Sequence, residues 1–396
     1  MVHLEELAAR ADAALGDLVG IRRHLHANPE LSFHEIETAK YISSRLTDLG
    51  VSHRTGIGGH GLVADIVGNP EGKVVAVRGD MDALPIVELN EVSYASKNTG
   101  VMHACGHDVH TTCILGVAQI LQEKAKDLNG TVRLIFQPAE ERIPGGASLM
   151  IADGVLKNPD VELVFGQHVY PDMEVGNVGF RPGKYMASAD ELYITIKGKG
   201  GHAALPHKNI DPVLITSHVI TALQQLVSRR AVAGMPTVVS VGKVIANGAT
   251  NVIPDEVKLE GTIRTMNEKW RGELHDLIKD LVSGICNSMG GSADVEVRKG
   301  FPALINDPDL TRWAKSKAIE LLGESAVHDL DIRMAGEDFA YFAQAVPSCF
   351  YRLGTSNTPK GIGAPLHTGK FDIDEDALRI GSAMMATLAC KALEEL

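Results

Sequence analysis

Apolar positions recur at three- and four-residue steps over residues 3–27, 35–49, 107–126 and 373–395, the spacing that lays one hydrophobic stripe along an α-helix. Between these stretches lie short apolar runs cut off by Gly, Pro or Asp: KVVAVRG, TVRLIF and VELVFG in the first half and CFYRLG near the end. Runs this short and this rich in Val, Ile and Phe predict strands, and their alternation with helices predicts an α/β layer around a largely buried sheet. From about residue 184 the rhythm changes to a strand (SADELYITIKGKG), a helix (DPVLITSHVITALQQLVSRR), two strands (TVVSVGKVIANG, EVKLEGTIRTM), a helix over 268–289 and a strand (SADVEVRKG). That order, βαββαβ, is the split-βαβ or ferredoxin-like pattern. It predicts a small domain over 184–298 inserted between two pieces, 1–183 and 299–396, of a larger one.

Length and composition agree with two cores. At 396 residues the chain exceeds what one hydrophobic core usually serves, and 44% hydrophobic with 22% charged residues is the mix of a globular protein. A net charge of −12 with scattered acids lacks the basic stripe of a nucleic-acid binder. No apolar run reaches the ~18 residues of a membrane span, and the charged amphipathic start does not read as a signal peptide. The expectation is a cytoplasmic protein without nucleic-acid or membrane partners. Five widely spread cysteines (Cys105, Cys113, Cys286, Cys349, Cys390) argue against a disulfide framework and for reduced thiols.

The stretch MHACGHDVHTT, residues 102–112, holds three histidines, a cysteine and an aspartate. Cys105 and His107, two apart, splay on a helix but converge in a loop just before one starts. Taken alone, this pair is weak evidence for metal and reads more readily as a polar loop. Its companions are GDMDALP with Asp80 and Asp82, FQPAEE with Glu140 and Glu141, and FGQHVYP with His168, each following an apolar run. In open α/β sheets, ligands gather beyond the carboxyl ends of the strands, so these segments are expected at one rim. Each has a plainer reading: turn formers for the aspartates, solvated charges for the glutamates, a core histidine for His168, a loop residue for His367 in GAPLHTGKF. Together they supply a thiolate, three imidazoles and a carboxylate, enough for two metal ions that share a ligand.

In these motifs the sequence resembles the M20 metallopeptidases, in the amidohydrolase branch of hippurate hydrolases, N-acyl-amino-acid deacylases and plant auxin-conjugate hydrolases. The resemblance runs over nearly the whole chain, through RRHLHANPELSFHE, GDMDALP, MHACGHDVHTT, FQPAEE, GKGGHAALPH, TNVIPD, GTIRT, MAGEDFAYF and PLHTGKFDIDEDAL in order. It implies a two-domain α/β fold whose insertion serves as lid and dimerisation domain of a homodimer. It implies two divalent ions per subunit, with Cys105 bridging, His107 and His168 on one ion and Glu141 and His367 on the other. Mn, Zn and Co all fit; the soft thiolate favours zinc or cobalt. Other branches carry an aspartate bridge and a histidine where this chain has Asp80.

The resemblance further implies Glu140 as general base and His202, in GKGGHAALPH, as a group that reaches the partner subunit's active site and steadies the oxyanion. Asn251 and Arg264 match positions associated with a substrate carboxylate. Asp82 is expected to orient a ligand histidine, and Glu337 and Asp338 either to line the rim or, by preference, to cap the next helix. The expected reaction is hydrolysis of N-acyl-L-amino acids or hippurate-like amides to a carboxylic acid and a free amino acid. The alternatives are a carboxypeptidase or dipeptidase of the same fold, or a catalytically silent metal-binding scaffold. The last is disfavoured because Glu140 and all five ligands are present.

Overall fold

A computed structural model describes residues 3–396, which divide into two compact units. One holds the chain up to Gly183 with Ile305–Asp331 and Asp338–Leu396; the other holds Lys184–Leu304 with Ile332–Glu337.

The first unit is built on an eight-stranded mixed sheet in the order His53–Ile57, Gly61–Val67, Gly130–Gln137, Lys73–Asp80, Leu163–Glu174, Ser348–Ser356, Val178–Phe180, Val327–Asp329. Its central strands run parallel: Lys73–Asp80 pairs with both Gly130–Gln137 and Leu163–Glu174, which in turn pairs with Ser348–Ser356. Gly130–Gln137 and Ser348–Ser356 are buried at every residue, as strands covered on both faces must be. The four predicted apolar runs are these four central strands. The peripheral strands escaped the sequence reading because their alternation is short or interrupted; His53–Ile57, an edge strand, has three consecutive exposed residues.

Helices Leu4–Ala27, His107–Gln122 and Ala377–Glu395 pack together, with His107–Gln122 and Ala377–Glu395 against the sheet, and their apolar stripes form the main core. The sheet order brings the carboxyl ends of Lys73–Asp80 and Gly130–Gln137 side by side. The strand around His168 is longer than expected: it continues to Glu174 along Ser348–Ser356, with His168 opposite Arg352. On its other side the pairing with Lys73–Asp80 stops at Arg78 and Gly166, two residues before His168.

In the second unit a four-stranded antiparallel sheet, ordered Thr237–Ile245, Glu256–Thr265, Ala189–Lys197, Ser292–Phe301, packs with helices Pro212–Gln225 and Glu268–Ser288 around a separate core. This is the βαββαβ order expected. Asp211 caps the first helix through Val213 N and Leu214 N, with Pro212 in its first turn; Asn267 caps the second through Trp270 N.

Asp190, fully buried, accepts from Arg271 Nε (2.8 Å) and Nη2, from Gly300 N (2.9 Å) and from His275 Nε2 (2.7 Å). Burial alone would raise its pKa, but Arg271 and His275 overrule it and hold the carboxyl well below its ordinary value. Asp190→Ala should therefore cost about 3 kcal/mol at neutral pH, because it leaves the buried Arg271 guanidinium with Glu268, 2.9 Å away and partly exposed, as its remaining counter-charge. A depressed folded pKa means that the contribution is complete above the unfolded value of about 3.9 and is lost as pH falls through the folded one. Urea unfolding of both proteins across that range checks this; a difference independent of pH would contradict it.

Candidate metal centre

Three unusual backbone positions aim the functional side chains. Gly106, between Cys105 and His107, has φ +79°, and a Cβ there would lie 2.5 Å from Val169 Cγ2, so the left-handed turn needs glycine. His107 opens the helix directly after it. Ala139 takes φ +51° two residues past the strand Gly130–Gln137, and its N–H is held by Glu35 Oε1 at 2.8 Å. His367 has φ +60° and is tied through its N–H to Ala104 O at 2.9 Å.

The donor atoms form two groups that share one sulfur. Cys105, His107 and His168 offer Sγ and ring nitrogens within 4.8 Å of one another, and so do Cys105, Glu141 and His367. Cys105 Sγ lies 3.4 Å from His168 Nε2 and 3.3 Å from His367 Nε2, and His367 Nε2 lies 3.4 Å from Glu141 Oε1. Asp82 stands behind both groups. Its Oδ1 accepts from His107 Nδ1 (3.1 Å) and Glu140 N (3.0 Å), and its Oδ2 from Ser32 Oγ (2.6 Å) and Glu141 N (3.1 Å). His168 Nδ1 donates to Val169 O at 2.8 Å. In both rings the Nδ1 proton is therefore spoken for, which leaves Nε2 free to ligate.

Among the described residues, His107 Nε2 and Glu141 Oε1 are shut from solvent without a well-formed hydrogen bond; Glu141 Oε1 has the long approach of His367 Nε2 at 3.4 Å. Buried polar atoms so poorly satisfied are costly unless an ion or a better partner meets them. A thiol, three imidazole nitrogens and a carboxylate fit a pair of divalent ions. Glu140, 6% exposed, belongs to neither Cys105 group; its carboxylate lies within 4.8 Å of donor atoms of His107 and Glu141.

The electrostatics are those of a site built for cations. Burial, then Glu141, push the Cys105 thiol up. Burial opposes the His107 imidazolium, but Asp80 and Asp82 outweigh it and raise its pKa well above normal. Hydrogen bonds to Cys105 and Glu141 push His367 up to about 10. Burial and the Arg352 cation hold His168 well below its usual value, so it is neutral. Cation loading at neutral pH must then displace protons from Cys105, His107 and His367, about three per chain. Titration calorimetry with two ions per chain, in buffers of different ionisation enthalpy, measures that release, and affinity should fall as pH is lowered. Proton-neutral loading would contradict the arrangement.

Several buried groups of the site were not singled out from the sequence. Arg78 donates to Asp80 Oδ2, Gln137 Oε1 and Asp338 Oδ1 at 2.5–2.8 Å. A charge inside the apolar run KVVAVRG was the available signal, since such a charge must be paired. The Asp338 side chain accepts from Arg78, Gln137 and Ala147 N, and the helix Ala340–Ala345 has no side-chain cap, so the preferred capping reading of Asp338 is corrected. Burial and nearby Asp82 push Glu35 up to about 7. Of the three histidines in the 102–112 stretch, only His107 joins a Cys105 group; His110 lies outside both, and so does His103, buried and lowered to about 4 by desolvation.

The remaining expected residues lie in the inserted unit. His202 is exposed in a two-residue strand, Gly201–His202, that pairs with Val252–Ile253, and its Nδ1 accepts from Ala204 N at 3.1 Å. Asn251 is exposed beside it and accepts at its carbonyl from Ala203 N. Arg264 is half-buried, its Nη1 turned to Asp190 O (3.3 Å), Ile263 O (3.0 Å) and Thr262 Oγ1.

Residues 76–391 match the model of peptidase family M20/M25/M40. The chain belongs to that family. It is 40% identical over 383 residues to N-acetylcysteine deacetylase of Bacillus subtilis, covering 95% of this chain and 97% of the relative. It is 38% identical over 378 residues to thermostable carboxypeptidase 2 of Saccharolobus solfataricus, covering 94% and 95%. A Bacillus subtilis protein, YXEP, a dinuclear metal binding peptidase from the M20 family, superimposes with a TM-score of 0.84 at 36% identity over 97% of this chain and 99% of that one. This M20 chain is thus a metal-dependent hydrolase of the amidohydrolase/peptidase class, and among its described residues no helix is long and apolar enough to cross a membrane.

Proposed function

We propose that the protein hydrolyses the amide bond of N-acyl-L-amino acids, releasing a carboxylic acid and a free amino acid. The observation that carries this reading is the pair of donor groups sharing Cys105 with a further carboxylate, Glu140, alongside. Cys105, His107 and His168 would hold one divalent ion, and Cys105, Glu141 and His367 the other. When bound, such a pair lowers the pKa of water and polarises a carbonyl. Zinc or cobalt suits the thiolate best.

Glu140 takes the proton of the attacking water and delivers it to the departing nitrogen. Asp82 fixes the His107 tautomer and, through Glu140 N and Glu141 N, the direction of both carboxylates. We assign His202 to the oxyanion in the active site of the partner subunit of a homodimer, supported by the GKGGHAALPH motif and by its exposure. Asn251 and Arg264 are assigned to the substrate carboxylate; a guanidinium can grip it by two parallel hydrogen bonds. The five unpaired buried cysteines suit a reducing compartment, the cytoplasm.

A carboxypeptidase is the second reading, favoured by the similarity to the Saccharolobus enzyme. Metal-stripped protein reloaded with Mn, Zn or Co and offered hippurate, N-acetyl-methionine, N-acetyl-cysteine, indole-acetyl-alanine and several dipeptides separates the two. Metal-dependent turnover of an N-acyl-amino acid is the expected result; turnover of peptides alone moves the assignment to the carboxypeptidase.

A further inference from the structure

We propose that His110 is a positioning residue that fixes the seat and tautomer of His168 through the backbone of Val169. This rests on the reading of His168 as an ion ligand.

His110 is fully buried, with its Nε2 accepting from Val169 N at 2.9 Å and its Nδ1 2.5 Å from Asp80 Oδ1. A backbone N–H can only donate, so Nε2 bears no proton; the proton of the ring is on Nδ1 and points at Asp80. Both ring nitrogens are used, which excludes His110 as a ligand although it lies near His107 and Asp80. Asp80 is itself fixed: Oδ2 accepts from Arg78 Nη1 at 2.5 Å, and its carbonyl accepts from Thr111 Oγ1 at 2.7 Å.

The strand geometry explains why an acceptor is needed at the Nε2 position. Pairing between Lys73–Asp80 and Leu163–Glu174 ends at Gly166, so beyond it no strand on that side receives the Val169 N–H. His110 Nε2 takes the place of that missing carbonyl. Val169 O then accepts His168 Nδ1–H, which turns His168 Nε2 toward Cys105 Sγ. The rings of His110 and His168 meet edge-on, with centroids 4.6 Å apart. Arg78, Asp80, His110 and Val169 thus form one buried chain from the sheet to the His168 ring. It gives Asp80, which stands at the rim, a positioning task.

The test uses the full-length protein loaded with two zinc ions and dialysed against a graded chelator series. His110→Gln places an acceptor oxygen where Nε2 stands; His110→Asn keeps a donor to Asp80 but falls short of Val169. His110→Asn should lose one of the two ions with affinity about 10–100-fold weaker, the usual cost of an outer-sphere defect, while His110→Gln stays close to wild type. His168→Ala should lose the same ion. Equal weakening in both His110 variants, or in neither, overturns the proposal. If His168→Ala keeps both ions, the ligand reading itself fails, whatever the His110 variants do. Long-range nitrogen–proton spectra of histidine-labelled wild-type protein provide a readout that needs no variant: a neutral Nδ1–H ring at His110 is expected, and an Nε2–H ring overturns the proposal.

Discussion

Glu140→Gln should lower kcat on the order of 100- to 10,000-fold while the protein keeps both ions and a near-normal KM. Glutamine preserves size and most packing but cannot accept the water's proton, and that span is what a positioned general base contributes. Retention of the ions follows from the geometry, since Glu140 belongs to neither of the groups that share Cys105. The backbone at Glu140 and Glu141 is fixed by Asp82, not by the Glu140 side chain, so the Glu141 carboxylate stays in place. Steady-state kinetics beside elemental analysis separate the outcomes: a fall in kcat with full metal content is expected. Wild-type-like turnover, or a loss matched by lost metal, would remove Glu140 from the base role.

Cys105→Ala is expected to cost more, because one atom belongs to both donor groups. Replacing His168 or His367 takes a donor from one position; removing Sγ takes one from each. Activity should fall on the order of 1,000-fold or more, the scale of losing several kcal/mol of charge stabilisation. Binding of both ions should weaken together, visible as a single shifted step in a chelator titration. Loss of one ion with the other held as tightly as before would show that Cys105 is not shared.

The sequence carried the chemistry of this site better than its framework. Cys105, His107, Glu141, His168 and His367 were each ambiguous alone, yet the rule that ligands gather beyond strand ends joined the segments of Glu141 and His168 with that of Asp80 and Asp82 at one rim. The central strands were readable because residues buried on both faces leave unbroken apolar runs. The short strands Val178–Phe180 and Val327–Asp329 have too few residues for a period to register. What the pattern could not supply was pairing: Arg78, Asp80, His110 and Asp338 become intelligible only once strands far apart in sequence are neighbours. Asp338 shows the error this produces, for an acid before a helix reads locally as a cap while its partner Arg78 lies 260 positions away.

The central claim is that two ions share the Cys105 sulfur. Anomalous diffraction at the zinc edge from zinc-loaded crystals tests it most directly. Two peaks are expected, one among Cys105 Sγ, His107 Nε2 and His168 Nε2 and the other among Cys105 Sγ, Glu141 and His367 Nε2. A single peak under full zinc loading, or a pair that Cys105 does not join, would contradict the account.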